Sequence, residues 1–181
     1  MAIRDFLAFA KQRHSAHDYA DKAIPANVLN YVLEAGRWSP SCHNTQPWKF
    51  VVVKNKKRIL GLVDSSTSAA FVIPPPQLVA LVLDVSCLGD SEICASTPEG
   101  GRMDAYLCLG TAAMSMAYAA EAKGWNCSFL TPDPVKAGKI LGVKSPDTVA
   151  LLVLLGKERK GVFQKPKVRK ALKEIVRRER A

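Results

Sequence analysis

Three short clusters gather side chains able to hold a ligand. Arg13-His14-Ser15 sets a guanidinium fork, an imidazole and a hydroxyl side by side, donors suited to a phosphate or to the polar edge of a ring. Pro40-Ser41-Cys42-His43-Asn44-Thr45-Gln46-Pro47-Trp48 is a polar loop framed by two prolines, and ligand-reading side chains often sit on loops between regular elements. Lys165-Pro166-Lys167-Val168-Arg169-Lys170 concentrates cations where a final helix is expected to begin. A helix N-terminus attracts anions by itself, and added cations strengthen the effect. Each cluster also has a plainer reading: helix caps and surface polars, a turn that needs Ser and Asn, and a solvated charged face.

Other chemistries are poorly served. Cys42-His43 pairs a thiol with an imidazole, but neighbours in a turn rarely point at each other and no group is evident to orient the base. Cys42, Cys87, Cys94, Cys108 and Cys127 are odd in number and contain no CxxC pair, which argues against a disulfide framework or a zinc site. His17 reads as a surface histidine.

The clusters need elements to hold them. Residues 3–12 place Ile3, Phe6, Leu7 and Ala10 at helical spacing, and residues 26–38 do the same with Val28, Leu29, Val32, Leu33, Ala35 and Gly36. The first helix delivers Arg13-His14-Ser15. The second, ended by Ser39-Pro40, delivers the proline-framed loop. Residues 48–53 read as a strand from their aromatic and β-branched content, 54–57 as a basic turn and 58–63 as a short helix. Beyond Pro74-Pro75-Pro76, residues 78–85 read as a strand buried on both faces and 86–101 as a surface loop. The longest helix is expected over 104–123; it is alanine-rich and apolar almost all round, so it should pack on several sides, a second copy among them. Residues 126–130 are strand-like, 133–141 form a short helix with Pro134 just inside its start, and 149–155 are a further buried strand ended by Gly156. Val168, Ala171, Leu172, Ile175 and Val176 recur at helical spacing, which predicts a basic amphipathic helix over about 165–180.

Composition bounds the rest. A chain of 181 residues, 48% hydrophobic and 23% charged, is expected to fold as one domain over 1–181. The net charge of +10 is concentrated at the end, where residues 157–181 carry 11 Lys/Arg against 3 Asp/Glu. No apolar run approaches the roughly 20 residues of a membrane helix. The first dozen residues carry Arg4, Asp5 and Lys11 without an apolar stretch of signal-peptide length. A cytoplasmic protein without a membrane partner is therefore expected.

The order Arg13-His14-Ser15, then Trp38-Ser39-Pro40-Ser41-x-x-Asn44-x-Gln46-Pro47-Trp48 before a strand, resembles the nitroreductase family of flavin enzymes. Asp104 opening an alanine-rich helix, Gly124 with the strand after it, and Gly156 followed by the basic tail extend the resemblance across the chain. The resemblance implies an α+β, three-layer fold with a central, mainly antiparallel sheet flanked by helices. It also implies an intertwined homodimer in which the C-terminal helix wraps the partner. One FMN would sit in each of two interfacial sites. NADH or NADPH would reduce it, and a nitroaromatic, quinone or similar small acceptor would reoxidise it in a ping-pong cycle.

By the same resemblance, Arg13 and Ser15 would reach the ribityl-phosphate and ring edge with His14 assisting, and Lys167 and Arg169, with Lys170 beside them, would hold the phosphate. Ser41, Cys42, His43 and Asn44 would approach the flavin from the other subunit. The flavin N5 would face a backbone N–H near Leu130-Thr131. There the sequence departs from the family pattern, because Pro132 stands where a small residue or glycine is common, so Thr131 would supply that hydrogen bond. Hydride transfer between cofactors asks the protein for orientation and exclusion of water, so no catalytic acid, base or nucleophile and no metal is expected. A rival reading takes the tail as a nucleic-acid contact without enzymatic activity. It is disfavoured because the charges surround an apolar stripe and Phe163 is the tail's lone aromatic for stacking. Specificity within the family would lie in residues 64–102.

Overall fold

The computed structural model describes residues 5–66, 73–88, 98–164 and 166–179. Ile3, Cys94, Lys165 and parts of the 64–102 stretch lie outside them. The chain runs α1 (Phe6–Gln12), α2 (Ala26–Arg37), β1 (Trp48–Val53), α3 (Lys56–Asp64), β2 (Gln77–Leu83), α4 (Pro98–Ala122), β3 (Asn126–Leu130), α5 (Pro134–Leu141), β4 (Thr148–Gly156) and α6 (Leu172–Ile175). The four strands make one sheet in the order β1-β2-β4-β3, and every pair is antiparallel. The α+β class and the three layers expected above hold.

Strand periodicity sorts the core into two halves. In β2, Val79, Leu81 and Leu83 face α2 and α4, whereas Leu78, Ala80 and Val82 face α3 and α5. In β4, Val153 and Leu155 take the first face and Leu152 and Leu154 the second. Leu81 pairs with Leu151 but Val82 with Val149, so Ala150 is an extra residue. This bulge lets Leu151 join one face and Val149 the other although both numbers are odd. The two central strands are covered on both sides, which is why they read as unbroken apolar runs.

The layers are locked by close approaches. A Cβ at Gly36 on α2 would stand 2.3 Å from Cε of Met116 on α4 and 3.3 Å from Cζ of Phe50 on β1. α4 buries Ala105, Leu109, Ala112, Ala113, Met116, Ala117 and Ala120. Its other side leaves Met103 66% and Leu107 63% exposed, with open space beside Gly110.

Several boundaries differ from the sequence reading. α4 begins at Pro98 rather than Asp104, and residues 85–88 form a 3-10 turn, so the expected surface loop over 86–101 is in part helical. Gly100 and Gly101, weak helix formers, lie inside the helix, and the second of them is buried. Lys56 and Lys57 belong to α3, because Asn55 caps it by accepting from the Arg58 N–H at 3.0 Å. β2 ends at Leu83, not at residue 85. The largest correction concerns the tail: only Leu172–Ile175 is helical among the described residues of 166–179. Its apolar positions are left largely uncovered among the described residues, Val168 being 84% and Leu172 70% exposed. A short helix without a packing surface is not stable in water.

Candidate functional site

β3 is an outer strand, so one of its edges is free to pair. The chain leaving α1 lies along that edge. Ser15 bridges Cys127 in parallel, and the Ala16 N–H donates to the Cys127 carbonyl at 3.4 Å. Ala16 and Tyr19 are fully buried and act as the anchors of the segment. Tyr19 Oη lies 2.8 Å from Ser128 Oγ, and its ring fills the space that a side chain at Gly156 would need, since a Cβ there would come within 2.5 Å of Cδ1. Burial raises the Tyr19 phenol far above its ordinary range, so it stays protonated. Asp18 pairs with Arg159 just past β4 through Nε at 2.9 Å, and Tyr19 bridges Glu158. Sheet edge, first segment and the exit of β4 thus become one surface.

The result is a cleft of about 510 Å³ lined by Arg13, His14, Ser15, Glu158, Lys167 and Arg169, among others. It joins two of the three clusters, which stand about 150 positions apart in the sequence. Three cations face a single carboxylate. Nη1 of Arg13 is buried without a hydrogen-bond partner among the described residues, an arrangement that costs free energy unless a ligand completes it. Arg13 also reaches Cys127, whose thiol burial pushes up to about 12 despite the nearby guanidinium. Lys167 Nζ donates to the carbonyls of Lys11 and, at 2.9 Å, of Gln12. It thereby caps the C-terminal end of α1 with a cation, and the third N–H of the ammonium is left for an anion.

The anion-attracting helix N-terminus expected beneath the third cluster is absent. Lys167 and Arg169 lie in non-helical chain ahead of α6, and their charges alone make that part of the cleft attractive to anions. Lys170 is exposed and does not line the cleft.

The second cluster stands elsewhere, on α4. Ser39 Oγ donates to Ser115 Oγ at 2.8 Å, the Cys42 N–H to Cys108 Sγ at 3.4 Å, and Thr111 Oγ1 to the Pro40 carbonyl at 3.3 Å. Within the loop, the Gln46 N–H donates to Ser41 Oγ at 3.0 Å and Thr45 Oγ1 to the Cys42 carbonyl at 2.9 Å. His43, Asn44 and Gln46 all take positive φ, at 46°, 57° and 49°. Asn and His tolerate that region better than most residues, but three such positions in four residues are costly. Ser41 and Cys42 are half-buried, while His43 and Asn44 point outward. None of the four lines the cleft at the β3 edge.

Leu130 closes β3 and is buried, Thr131 after it is exposed, and Pro132 is buried. Asp133 then caps α5, accepting from the Val135 and Lys136 N–H groups at 2.9 Å each. Glu158, Gln164 and His17 belong to the cleft and escaped the sequence reading. A Glu beside so many cations carries no local signal, and its partner His14 is 144 positions away. His17 is exposed, as read, yet it lies on the cleft wall. Among the described residues no group of His, Cys, Asp and Glu could hold a metal ion, and no helix is long and apolar enough to cross a membrane.

Comparisons with known proteins point one way. Solved structures share the fold: a nitroreductase family protein from Streptococcus pneumoniae TIGR4 superposes with a TM-score of 0.83 at 22% identity, covering 97% of this chain and 100% of that one. A protein of Exiguobacterium sibiricum 255-15, crystallised in complex with FMN, gives 0.82 at 18% identity, covering 99% of each chain. YdjA of Escherichia coli strain K12, provisionally named an NAD(P)H nitroreductase, is 25% identical over 166 residues, covering 84% of this chain and 87% of its own. Other relatives match over shorter stretches. The NADH dehydrogenase of Thermus thermophilus is 29% identical over 85 residues, 47% of this chain and 42% of that protein, so the chain spans under half of its length. The pattern that defines the nitroreductase family matches residues 10–157, most of the sequence, and the chain belongs to that family.

Proposed function

We propose that the protein is an FMN-dependent oxidoreductase that takes hydride from NADH or NADPH and passes electrons to a small acceptor, such as a nitroaromatic or a quinone, in a ping-pong cycle. The observation that carries the reading is the cleft at the β3 edge, where the orphaned Arg13 Nη1, Lys167 and Arg169 converge. This donor set fits a phosphate monoester: a guanidinium fork, a fixed ammonium and a hydroxyl on Ser15 supply charge-assisted bonds. Bound FMN would supply a two-electron store that neither side chain nor backbone provides.

The chain's own residues would bind and orient. Arg13, Lys167 and Arg169 would hold the phosphate, with Lys170 adding charge nearby and His14 and Ser15 on the side toward the ribityl chain. The segment Leu130-Thr131 lies at the far end of the same edge strand, where the Thr131 N–H would hydrogen-bond the ring, since Pro132 has none to give. Ser41, Cys42, His43 and Asn44 would come from a second copy. Support for that second copy is the uncovered apolar side of α4 at Met103 and Leu107 together with the uncovered tail stripe at Val168 and Leu172. A symmetric dimer burying both, with each tail wrapping its partner, should exceed roughly 2,000 Å² of interface.

The test is direct. The purified protein should be yellow or become so with added FMN, release FMN on denaturation, and bleach with NADH or NADPH under nitrogen. A colourless protein that takes up no FMN would sink the reading.

A further inference from the structure

Glu158 is out of place in a hollow built for an anion. Its carboxylate lies among Arg13, Lys167 and Arg169, and a negative charge there opposes any phosphate that binds. Its geometry shows what it does instead. Both carboxylate oxygens are engaged: His14 Nε2 stands 2.9 Å from Oε2, and Gln164 Nε2 donates to Oε1 at 2.6 Å. An ionised carboxylate only accepts, so His14 must be the donor, which fixes the proton on Nε2. The side chain of Glu158 is 15% exposed. Its backbone is held from two sides, by an N–H donated to Asn126 Oδ1 at 3.0 Å and by the bridge to Tyr19. It is a fixed point at the end of the sheet.

The two groups it grips belong to the pieces that must meet. His14 lies on the segment that carries Arg13. Gln164 lies six residues beyond Glu158, after a turn that passes through Gly161 at φ +80°. Three residues further, Lys167 reaches the carbonyls ending α1. From Pro166 to Glu179 every described residue is exposed, so packing within the chain does not hold the tail.

We propose that Glu158 is a positioning residue that sets the tail cations Lys167 and Arg169 against Arg13 by gripping His14 with one oxygen and Gln164 with the other. The assignment rests on the reading of the cleft as the FMN phosphate site. It makes a prediction of opposite sign to simple charge. Removing an anion from beside a phosphate should tighten binding, whereas removing the grip should weaken it.

The experiment titrates FMN and riboflavin, by flavin fluorescence, into flavin-free parent, Glu158→Ala and the exchange variant Glu158→Gln with Gln164→Glu. Glu158→Ala should bind FMN roughly tenfold more weakly, the scale of one or two lost hydrogen bonds, with riboflavin within about twofold. The exchange variant keeps one carboxylate and one amide: Gln at 158 accepts from His14 and donates to Glu at 164. It should recover FMN binding to within about threefold of the parent. Unchanged or tighter FMN binding by Glu158→Ala would overturn the assignment. So would equal losses for both flavins, which would mark a general role in folding. Limited trypsin cleavage of the flavin-free proteins reads the tail by itself: Glu158→Ala should be cut faster within 157–179, and the exchange variant should return to the parent rate. If the parent binds neither flavin, the FMN reading fails and the cleavage pattern still decides whether Glu158 holds the tail; identical cleavage in parent and Glu158→Ala would refute that as well.

Discussion

The cleft at the β3 edge and the loop of residues 41–46 solve different problems. The cleft is made of ordinary extended backbone laid on a strand edge, with its specificity in charge: Arg13, Lys167 and Arg169 against Glu158. The loop carries no net charge and has its specificity in backbone shape, with three positive φ values in four residues. Strained residues of that kind persist only where surrounding contacts over-determine them. Here Cys108, Thr111 and Ser115 on α4 hold the entry to the loop at Cys42, Pro40 and Ser39, and Ser41 Oγ accepts from the Gln46 N–H within it. A phosphate needs countercharge and forgives some misplacement; a planar ring needs an exact surface. The proposed site would be completed when the cleft of one copy meets the loop of another.

That pairing can be broken most completely by separating the halves. Arg13→Ala and Asn44→Ala homodimers should each lose nearly all activity, and co-expressing the two chains should restore part of it, because a mixed dimer keeps one intact site. Sedimentation that finds a flavin-loaded, active monomer would dispose of shared sites. Within the cleft, Arg13→Ala should weaken FMN by about 1.5–3 kcal/mol in a binding titration and leave riboflavin nearly untouched.

On the loop's side, the scaffold is the place to strike. Gly36→Ala forces a methyl onto Met116 and Phe50 between α2 and α4, and chemical denaturation should show a loss of about 1–3 kcal/mol. The matching change beneath the cleft is Tyr19→Phe, which leaves the buried Ser128 hydroxyl without its 2.8 Å partner. A loss of about 1–2 kcal/mol is expected there. The smallest effect separates strain from contact. His43→Gly removes the φ 46° penalty and should raise stability by up to about 1 kcal/mol, while flavin binding weakens because the loop is no longer held in one shape. Unchanged binding would mean that the strain serves nothing.

Much of the architecture could be read in advance, for local reasons. The bounds of β1, β3 and α5 follow from a β-branched run, a short apolar stretch after Gly124, and Asp133-Pro134 as cap and first turn. The start of α4 was not legible, because Pro98-Glu99-Gly100-Gly101 has the composition of a loop although it opens the helix. The tail misled in the other direction. Its apolar spacing is that of a helix, but spacing predicts a helix only when something lies against the stripe, and among the described residues the stripe is left exposed.

The chemistry available could be read along the chain: a guanidinium, imidazole and hydroxyl in a row, a proline-framed loop, and a tail of cations. Those are properties of neighbours along the chain, and short-range rules reach them. Which of these groups share a cavity was decided by the sheet order β1-β2-β4-β3, which leaves an edge of β3 open and ends β4 beside it. That order brings Glu158 to His14 across 144 positions and Lys167 to the end of α1 across more than 150. Contacts so distant in sequence leave no mark on local composition, because their free energy is gained only when the whole sheet is formed.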